Sequence, residues 1–472
     1  MSKKGQFLSN LLFLGVGNAV SKLTVFFLMP LYTAQLSPAD FGTVDILINT
    51  AVLLLPLISL GAPEAVFRFM AGGAPAENVM AVGRRMLSVG LSLLLLILPL
   101  LSFFHVLRPY LVYLYFYVAA SVLHSFLAHA LRADGRYGVY ALQQTFCTLL
   151  TVLLAVLFLR ELSLGVKGYL LAVLLADAVT ALLLASYLRS VKEWREATPS
   201  AELRRLMLRY AIPLIPTATL WWALSVSDRY FLLYYHGEAA NGIYAAAAKL
   251  PALLTFAAGL FLEAWHFAAI KEKEEGRTAL FERIYGALLP LLITLVAALI
   301  LCARPLVSRI FSPGFADAAL FVPFLAVSAL FSALSSFLGS VYVVKLRSGA
   351  SLTTAAVGVA VNLLLDIWWI PRLGTVGAVA ATLFSYLAVF LWRAVHCKRV
   401  MPFALRVEKL TVATLLLLVT AALTVRGAWW WGIPTAVLSV LPFAHELLDS
   451  ALTLLVYGKK ILQKTTKKQK SS

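Results

Sequence analysis

The sequence predicts an all-α membrane protein of about 14 transmembrane helices: two pseudo-symmetric six-helix bundles followed by two C-terminal helices. Three observations carry this reading. Hydrophobic residues make up 61% of the 472-residue chain and charged residues only 13%, against roughly 25% charged in an ordinary soluble domain; mean hydropathy is +0.88. The apolar residues fall in continuous runs of about 20 residues, the length that crosses a bilayer as a helix. The basic residues concentrate in alternate connections between those runs, as membrane insertion dictates.

The first run, residues 7–31, is too long for a cleavable leader and has no small-residue cleavage site after it, so it is expected to stay as an anchor. The turn PLYTAQLSPADFG (Pro30–Gly42) follows, and Ser37-Pro38 is an N-cap and first-turn signature for the second helix, 41–66. Runs 86–107, 109–131, 139–160 and 166–188 complete a set of six. The longest connection, Arg189–Arg209, is charged and contains Pro199. Beyond it lie 209–235, 241–269, 284–304, 318–344, 350–371 and 374–396, then 408–426 and 432–457. The runs are Leu/Ala-rich and lack barrel-like alternation, as helices that satisfy their own backbone in lipid require. The chain therefore divides into an N-terminal lobe (1–195), a C-terminal lobe (205–398), two additional helices (405–457) and a basic tail (458–472).

The lobes carry a faint repeat. Gly42 and Gly242 each open a helix after a short turn, Leu131-Arg132 recurs as Leu346-Arg347, LGVKG (Leu164–Gly168) recurs as LGTVG (Leu373–Gly377), and Arg189 matches Lys398. An even number of helices per repeat makes the repeats parallel, an arrangement suited to alternating access around a central cavity.

The net charge is +18. With the N-terminus cytoplasmic, thirty of the forty Lys and Arg fall in inside connections and seven outside; Lys22, Arg229 and Lys249 remain within spans. Both termini are then inside, which explains the absence of basic residues from PLYTAQLSPADFG and removes nucleic acid as the reason for the charge. The tail segment Lys459–Lys470 fits an anionic inner leaflet or a solvated, frayed end. Cys147, Cys302 and Cys397 offer neither a disulfide framework nor metal spacing. His124 and His129 do not share a helical face, so no metal pair is expected. No phosphate-binding Gly-rich loop is present, which argues against ATP hydrolysis.

Three segments carry a family resemblance: FLMPLYTAQLSPADFGTVDILINT with LISLGAPEAVFRF (Phe27–Phe69), YAIPLIPTATLWWALSVSDRYFLLYYHGEAANGIYAAAAKLPALL (Tyr210–Leu254), and VNLLLDIWWIPRLGTVGAVAATLFSY (Val361–Tyr386). In order and nearly over the whole chain they resemble the polysaccharide and lipid-linked oligosaccharide flippases of the MOP (multidrug/oligosaccharidyl-lipid/polysaccharide) superfamily, including Wzx-type O-antigen flippases. Asp366 stands where the family pattern usually has Asn. The resemblance implies a secondary transporter that moves a polyprenyl-pyrophosphate-linked oligosaccharide from the inner to the outer leaflet of the bacterial cytoplasmic membrane for cell-surface polysaccharide assembly. The implied partners are that substrate, membrane lipids and other polysaccharide-assembly proteins.

Charges within spans are costly and usually face a cavity or a partner. Lys22 lies roughly 22 Å into the first helix and Lys249 roughly 12 Å into the eighth. Gly15, Asn18 and Lys22 share one polar face. Arg229 ends the polar stripe Ser225–Arg229. Lys22, Lys249 and Arg229 are thus candidates to hold pyrophosphate in a cavity, with Asn18 and Asn49 beside them. Related lipid II flippases are known for basic cavity residues on their first, second and eighth helices; Lys22 and Lys249 match two, and Asn49 stands at the third. The alternatives are local pairing, snorkelling and, for Arg229, neutralisation by Asp228. Asp228, Asp366 and Asp177 are candidate ion-coupling sites. Asp45, Asp228 and Asp366 also read as solvated carboxylates near the outer interface, and Asp177 as a cap on a helix contact. Glu64 and Arg68 read as an i,i+4 ion pair. Trp221-Trp222, Trp368-Trp369 and Trp429–Trp431 read as interfacial anchors, with sugar stacking by Trp222 as the alternative.

No catalytic residue, metal or cofactor is assigned, and the coupling energy is left to a proton or sodium gradient or the membrane potential. A multidrug/cation antiporter of the same fold is the competing reading, against which the three intramembrane cations weigh. A membrane saccharide polymerase or ligase ranks below it, because turns such as His236–Ala240 leave no room for catalytic groups; the chain is not expected to be an enzyme. The topology has a direct test: a single cysteine at Ser37 should react with an impermeant thiol reagent from outside and one at Ser200 should not, and the opposite labelling would invert the threading.

Overall fold

The computed structural model describes residues 24, 26–190, 198–345 and 347–446. Every regular element among them is helical. Eleven described stretches are long and apolar enough to cross a membrane, and one of them, Ala201–Leu262, has the length for two crossings. The chain is a multi-pass membrane protein. Of the expected first run only the end is described, and the last run is described to residue 446.

Helix α1 (Met29–Gln35) leads to α2 (Pro38–Ser59) through the turn singled out above. The start of α2 is a capping box: Ser37 Oγ accepts the Asp40 N–H at 3.1 Å and Asp40 Oδ2 accepts the Ser37 N–H at 3.3 Å, two otherwise orphaned donors satisfied reciprocally. The expected span 41–66 is interrupted. Leu60 and Gly61 both adopt positive φ, 51° and 67°, and a new helix, α3 (Ala62–Ala71), starts with Pro63 in its first turn, where a missing N–H costs nothing. Helix α4 (Ala76–Leu101) meets the end of α2 at Gly90, where a Cβ would sit 1.6 Å from the Ile58 carbonyl oxygen. Helices α5 (Leu111–Ala133), α6 (Tyr137–Ala155) and α7 (Gly165–Ser190) follow; α6 closes in a π turn, Val156–Glu161.

The connection expected as a charged loop holds a short amphipathic helix, α8 (Ala201–Ala211), capped by Ser200 Oγ accepting the Leu203 N–H at 3.1 Å. Arg204, Arg205 and Arg209 are exposed, while Met207 and Ala211 are buried. Helix α9 (Leu214–Lys271) therefore begins five residues after the expected start of its span. It bends at Gly237 (φ 80°, ψ −179°), between the two runs expected there. The remaining helices are α10 (Glu274–Ile310), α11 (Ala318–Val344), α12 (Ser348–Leu373), α13 (Thr375–Val400), α14 (Val407–Val425) and α15 (Trp429–Val440).

The chain groups into two compact units, which cut it elsewhere than the repeat does. The first runs to Ala245 and includes Ile310–Ala316 and Asp366–Thr375; the second holds Ala246–Arg309, Asp317–Leu365 and the chain from Val376. In the first unit, Ile58, Val79, Met80, Phe126 and Leu131 pack into one apolar core. The turn before α2 is held there by Ser312, whose Oγ donates to the Thr33 carbonyl at 2.5 Å, and by Phe41 edge-on to Phe315. In the second unit, Trp265 stacks on Phe337 with centroids 5.4 Å apart, and Phe281, Tyr285 and Phe403 complete an aromatic core. Helices α14 and α15 turn at Gly427 (φ 81°), and Thr420 donates to Thr435 between them at 2.9 Å.

Gly42 and Gly242, equivalent positions of the repeat, lie against each other in the first unit. A Cβ on Gly42 would stand 2.0 Å from the Glu238 oxygen, and one on Gly242 1.8 Å from the Pro38 oxygen. Asn241 Nδ2 donates to the Gly42 carbonyl at 2.9 Å. The two backbones cross with no room for a side chain, which is why both positions are glycine. Gly42→Ala should cost about 1–3 kcal/mol, read as a lowered Tm in detergent. Gly259→Ala, where a Cβ meets nothing within 4 Å, should leave Tm unchanged or slightly raised.

Candidate functional site

The part of α9 before its bend at Gly237 also runs against α2, and polar side chains of the two helices meet there. One turn on from Gly42, Asp45 receives Arg229: Nη1 lies 2.5 and 2.6 Å from the two carboxylate oxygens. Both side chains are withdrawn from the surface, Arg229 at 14% and Asp45 at 5% exposure. Beyond them, Thr50 and Tyr230 share a hydroxyl hydrogen bond of 2.7 Å, and Trp222 Nε1 donates to the Asn49 carbonyl at 2.9 Å. The Asn49 amide turns back on its own helix and donates to the Asp45 carbonyl at 2.8 Å.

Next to this ladder lie two more buried carboxylates. Asp228 accepts the Tyr244 hydroxyl and, at 2.9 Å, the backbone N–H of Arg229. Asp366 has no solvent exposure. Its Oδ2 accepts from Ser227 at 3.1 Å, and its Oδ1 has no hydrogen-bond partner among the described residues. Asp228 lies within electrostatic reach of Asp366. A buried carboxylate oxygen left without a donor, with a second carboxylate nearby, is an arrangement that a proton or a hard cation relieves, because such cations take oxygen ligands.

A cavity of about 300 Å³ opens among α2, α3, α5 and α9, lined by Pro56, Ser59, Glu64, Ser125, Thr219 and Trp222 among others. Glu64 faces this cavity rather than Arg68: no ion pair joins them among the described residues, and Arg68 Nη1 reaches toward Gly72.

The structure departs from the sequence expectations at several positions. Asp45, Asp228 and Asp366 are buried, not solvated, because the helices that carry them pack against one another. Arg229 is paired with Asp45 on another helix, and its neighbour Asp228 accepts its backbone N–H. The side chain is thus committed to an ion pair and is not open to an anion here. Lys22 and Asn18 lie outside the described residues. Lys249 is half-buried on α9 in the second unit. Asp177 joins Ser121, His124 and Cys147 in a separate cluster. Trp368, Trp430 and Trp431 are exposed, as anchors in an apolar medium would be. Tyr244, Ser227 and the Asp45–Arg229 pairing were not assigned from sequence. A periodicity cannot report a contact made 184 residues away.

A family model described as polysaccharide biosynthesis protein matches residues 7–265, more than half of the chain. The chain belongs to the polysaccharide biosynthesis protein family. No curated protein sequence matches it. Among solved structures, the lipid II flippase MurJ in an inward-closed conformation superposes with a TM-score of 0.73 at 14% identity, covering 93% of this chain and 99% of that one. An inward-facing multidrug resistance MATE family transporter of the MOP superfamily gives 0.62 at 17% identity over 80% of this chain and 95% of that one. An outward-facing MATE transporter gives 0.56 at 18% identity. At these identities the likeness is one of fold: this family member has the helical fold of the MOP transporters.

Removing one partner of a buried ion pair strands the other charge, at a cost of about 3–5 kcal/mol. Arg229→Gln or Asp45→Asn alone should therefore lower stability by that order in chemical denaturation. The double variant should lose much less than the sum of the two.

Proposed function

We propose that this protein is a secondary transporter that flips a polyprenyl-pyrophosphate-linked oligosaccharide from the inner to the outer leaflet of the bacterial cytoplasmic membrane, with both termini cytoplasmic. The observation that carries the reading is the pairing of the family match with the extent of the fold match. The flippase structure accounts for 93% of the chain, whereas the MATE transporter, used to 95% of its own length, accounts for 80%. That difference favours a flippase over the multidrug antiporter of related fold.

In this mechanism residues 1–195 rock against 205–398. The Asp45–Arg229 pair and the glycine crossing close the outer end of α2 and α9, and the pair parts when substrate is released. Lys22 and Lys249 supply the fixed cations that a pyrophosphate needs when it leaves headgroup water; Asn18 and Asn49 are polar neighbours in the same path. Asp228 and Asp366 take up the coupling proton or cation, for which the unpartnered Asp366 oxygen is the support. The other partners are membrane lipids and polysaccharide-assembly proteins, and no cofactor takes part.

The test is transbilayer movement of a fluorescent polyprenyl-pyrophosphate-linked sugar in proteoliposomes. Lys22→Ala and Lys249→Ala should each reduce the rate at least tenfold at wild-type abundance, and Arg at either position should restore part of it, because charge matters more than shape. Asp366→Asn should abolish the response to an imposed sodium or proton gradient. Wild-type rates from both alanine variants would remove the lysines from pyrophosphate binding and reopen the antiporter reading.

A further inference from the structure

Away from the α2–α9 ladder, three consecutive helices of the first unit each contribute a metal-type donor to one point. His124 comes from α5, Cys147 from α6 and Asp177 from α7. One ligand atom of each lies within 4.8 Å of the other two. His124 Nδ1 is 2.9 Å from Asp177 Oδ1, and Cys147 Sγ is 3.5 Å from the same oxygen. His124 and Cys147 are each 8% exposed.

The surroundings orient these donors. Gln143 Oε1 lies 2.6 Å from His124 Nε2, while the Gln143 amide nitrogen is buried and has no partner among the described residues. With the amide oxygen facing Nε2, that nitrogen carries the hydrogen, and the lone pair of the neutral ring is on Nδ1. Nδ1 then faces a carboxylate oxygen across 2.9 Å. A proton on Nδ1 satisfies this contact in the absence of metal, and a bound cation would take that proton's place between the same two atoms. Ser121 Oγ donates to the other oxygen of Asp177, which leaves Oδ1 turned toward the sulfur and the imidazole. A ligating histidine whose second nitrogen donates to an amide oxygen, and a carboxylate held by a hydroxyl, are the outer supports that metal sites use.

We propose that His124 Nδ1, Cys147 Sγ and Asp177 Oδ1 form a binding site for a thiophilic divalent cation of the zinc type. Nitrogen, sulfur and oxygen donors together suit such an ion and not calcium or magnesium, which take oxygen. Metal–ligand bonds of about 2.0–2.3 Å place tetrahedral ligands roughly 3.3–3.7 Å apart; the Cys147–Asp177 separation of 3.5 Å lies in that range and the His124–Asp177 separation of 2.9 Å would have to widen. Binding releases the Cys147 thiol proton and leaves a fourth position for water. The site joins α5, α6 and α7 within one unit. It does not depend on the flippase reading.

The chain has three cysteines, which makes the test specific. Tag-free Cys302→Ser/Cys397→Ala protein keeps Cys147 as its sole thiol. It should retain one equivalent of zinc after desalting. With cobalt(II) it should develop a near-ultraviolet thiolate-to-metal charge-transfer band, which zinc displaces. Cys147→Ser should abolish the band, and His124→Gln and Asp177→Asn should each weaken cobalt binding at least tenfold. Zinc-edge X-ray absorption of the parent protein, which needs no variant at the site, should report one sulfur among nitrogen and oxygen neighbours. Failure of the parent protein to retain metal, a cobalt spectrum without the thiolate band, or a band that survives Cys147→Ser would overturn the proposal.

Discussion

An ion withdrawn into an apolar helix bundle costs several kcal/mol unless a partner and hydrogen bonds replace its hydration. The first unit is arranged around that constraint at Arg229. The guanidinium sits among helices with 14% of its side chain exposed; its Nε has no partner among the described residues, and its Nη1 reaches both oxygens of the Asp45 carboxylate. That partner can be reached only if α2 and α9 approach almost backbone to backbone. The approach is possible because Gly42 and Gly242 have no side chains at the crossing. The further contacts, Tyr230 with Thr50 and Trp222 with Asn49, come from the part of α9 before its bend at Gly237. A side chain at either glycine would push apart the backbones that cross there.

The sequence made the spans legible because bilayer thickness and backbone satisfaction act on every residue of a run at once. The cap at Ser37 was legible because capping is local, and it appears as a reciprocal pair with Asp40. The pairing of Gly42 with Gly242 was half legible: the repeat related them, but nothing in it said that they touch. What sequence missed has a common physical cause. Asp45 reads as an interfacial acid until α9 supplies its cation. His124 has no ligand spacing with His129, and its polar neighbours come one each from α6 and α7. The break at Leu60-Gly61 was missed because the apolar run continues through it, and hydropathy does not register φ.

The buried acids differ in how completely they are satisfied, and that difference separates their roles. Asp45 has a cation across two oxygens. Asp228 has a hydroxyl and a backbone N–H. Asp366 alone of these three keeps an oxygen with no donor among the described residues, although it is the most deeply buried. A buried ion pair resists change, since parting it exposes both charges at once; such a pair suits a contact that holds one conformation until binding energy is available elsewhere. An unsatisfied buried carboxylate is already destabilised and gains most from taking up a cation. Ser227, which donates to Asp366, precedes Asp228, whose backbone neighbour is Arg229. Binding of a cation at Asp366 would therefore act within three consecutive residues of the ion pair. On the proposed mechanism, the affinity difference of that position between the two conformations supplies the free energy that the Asp45–Arg229 pair loses on parting. A ligand shifts a conformational equilibrium by no more than this difference.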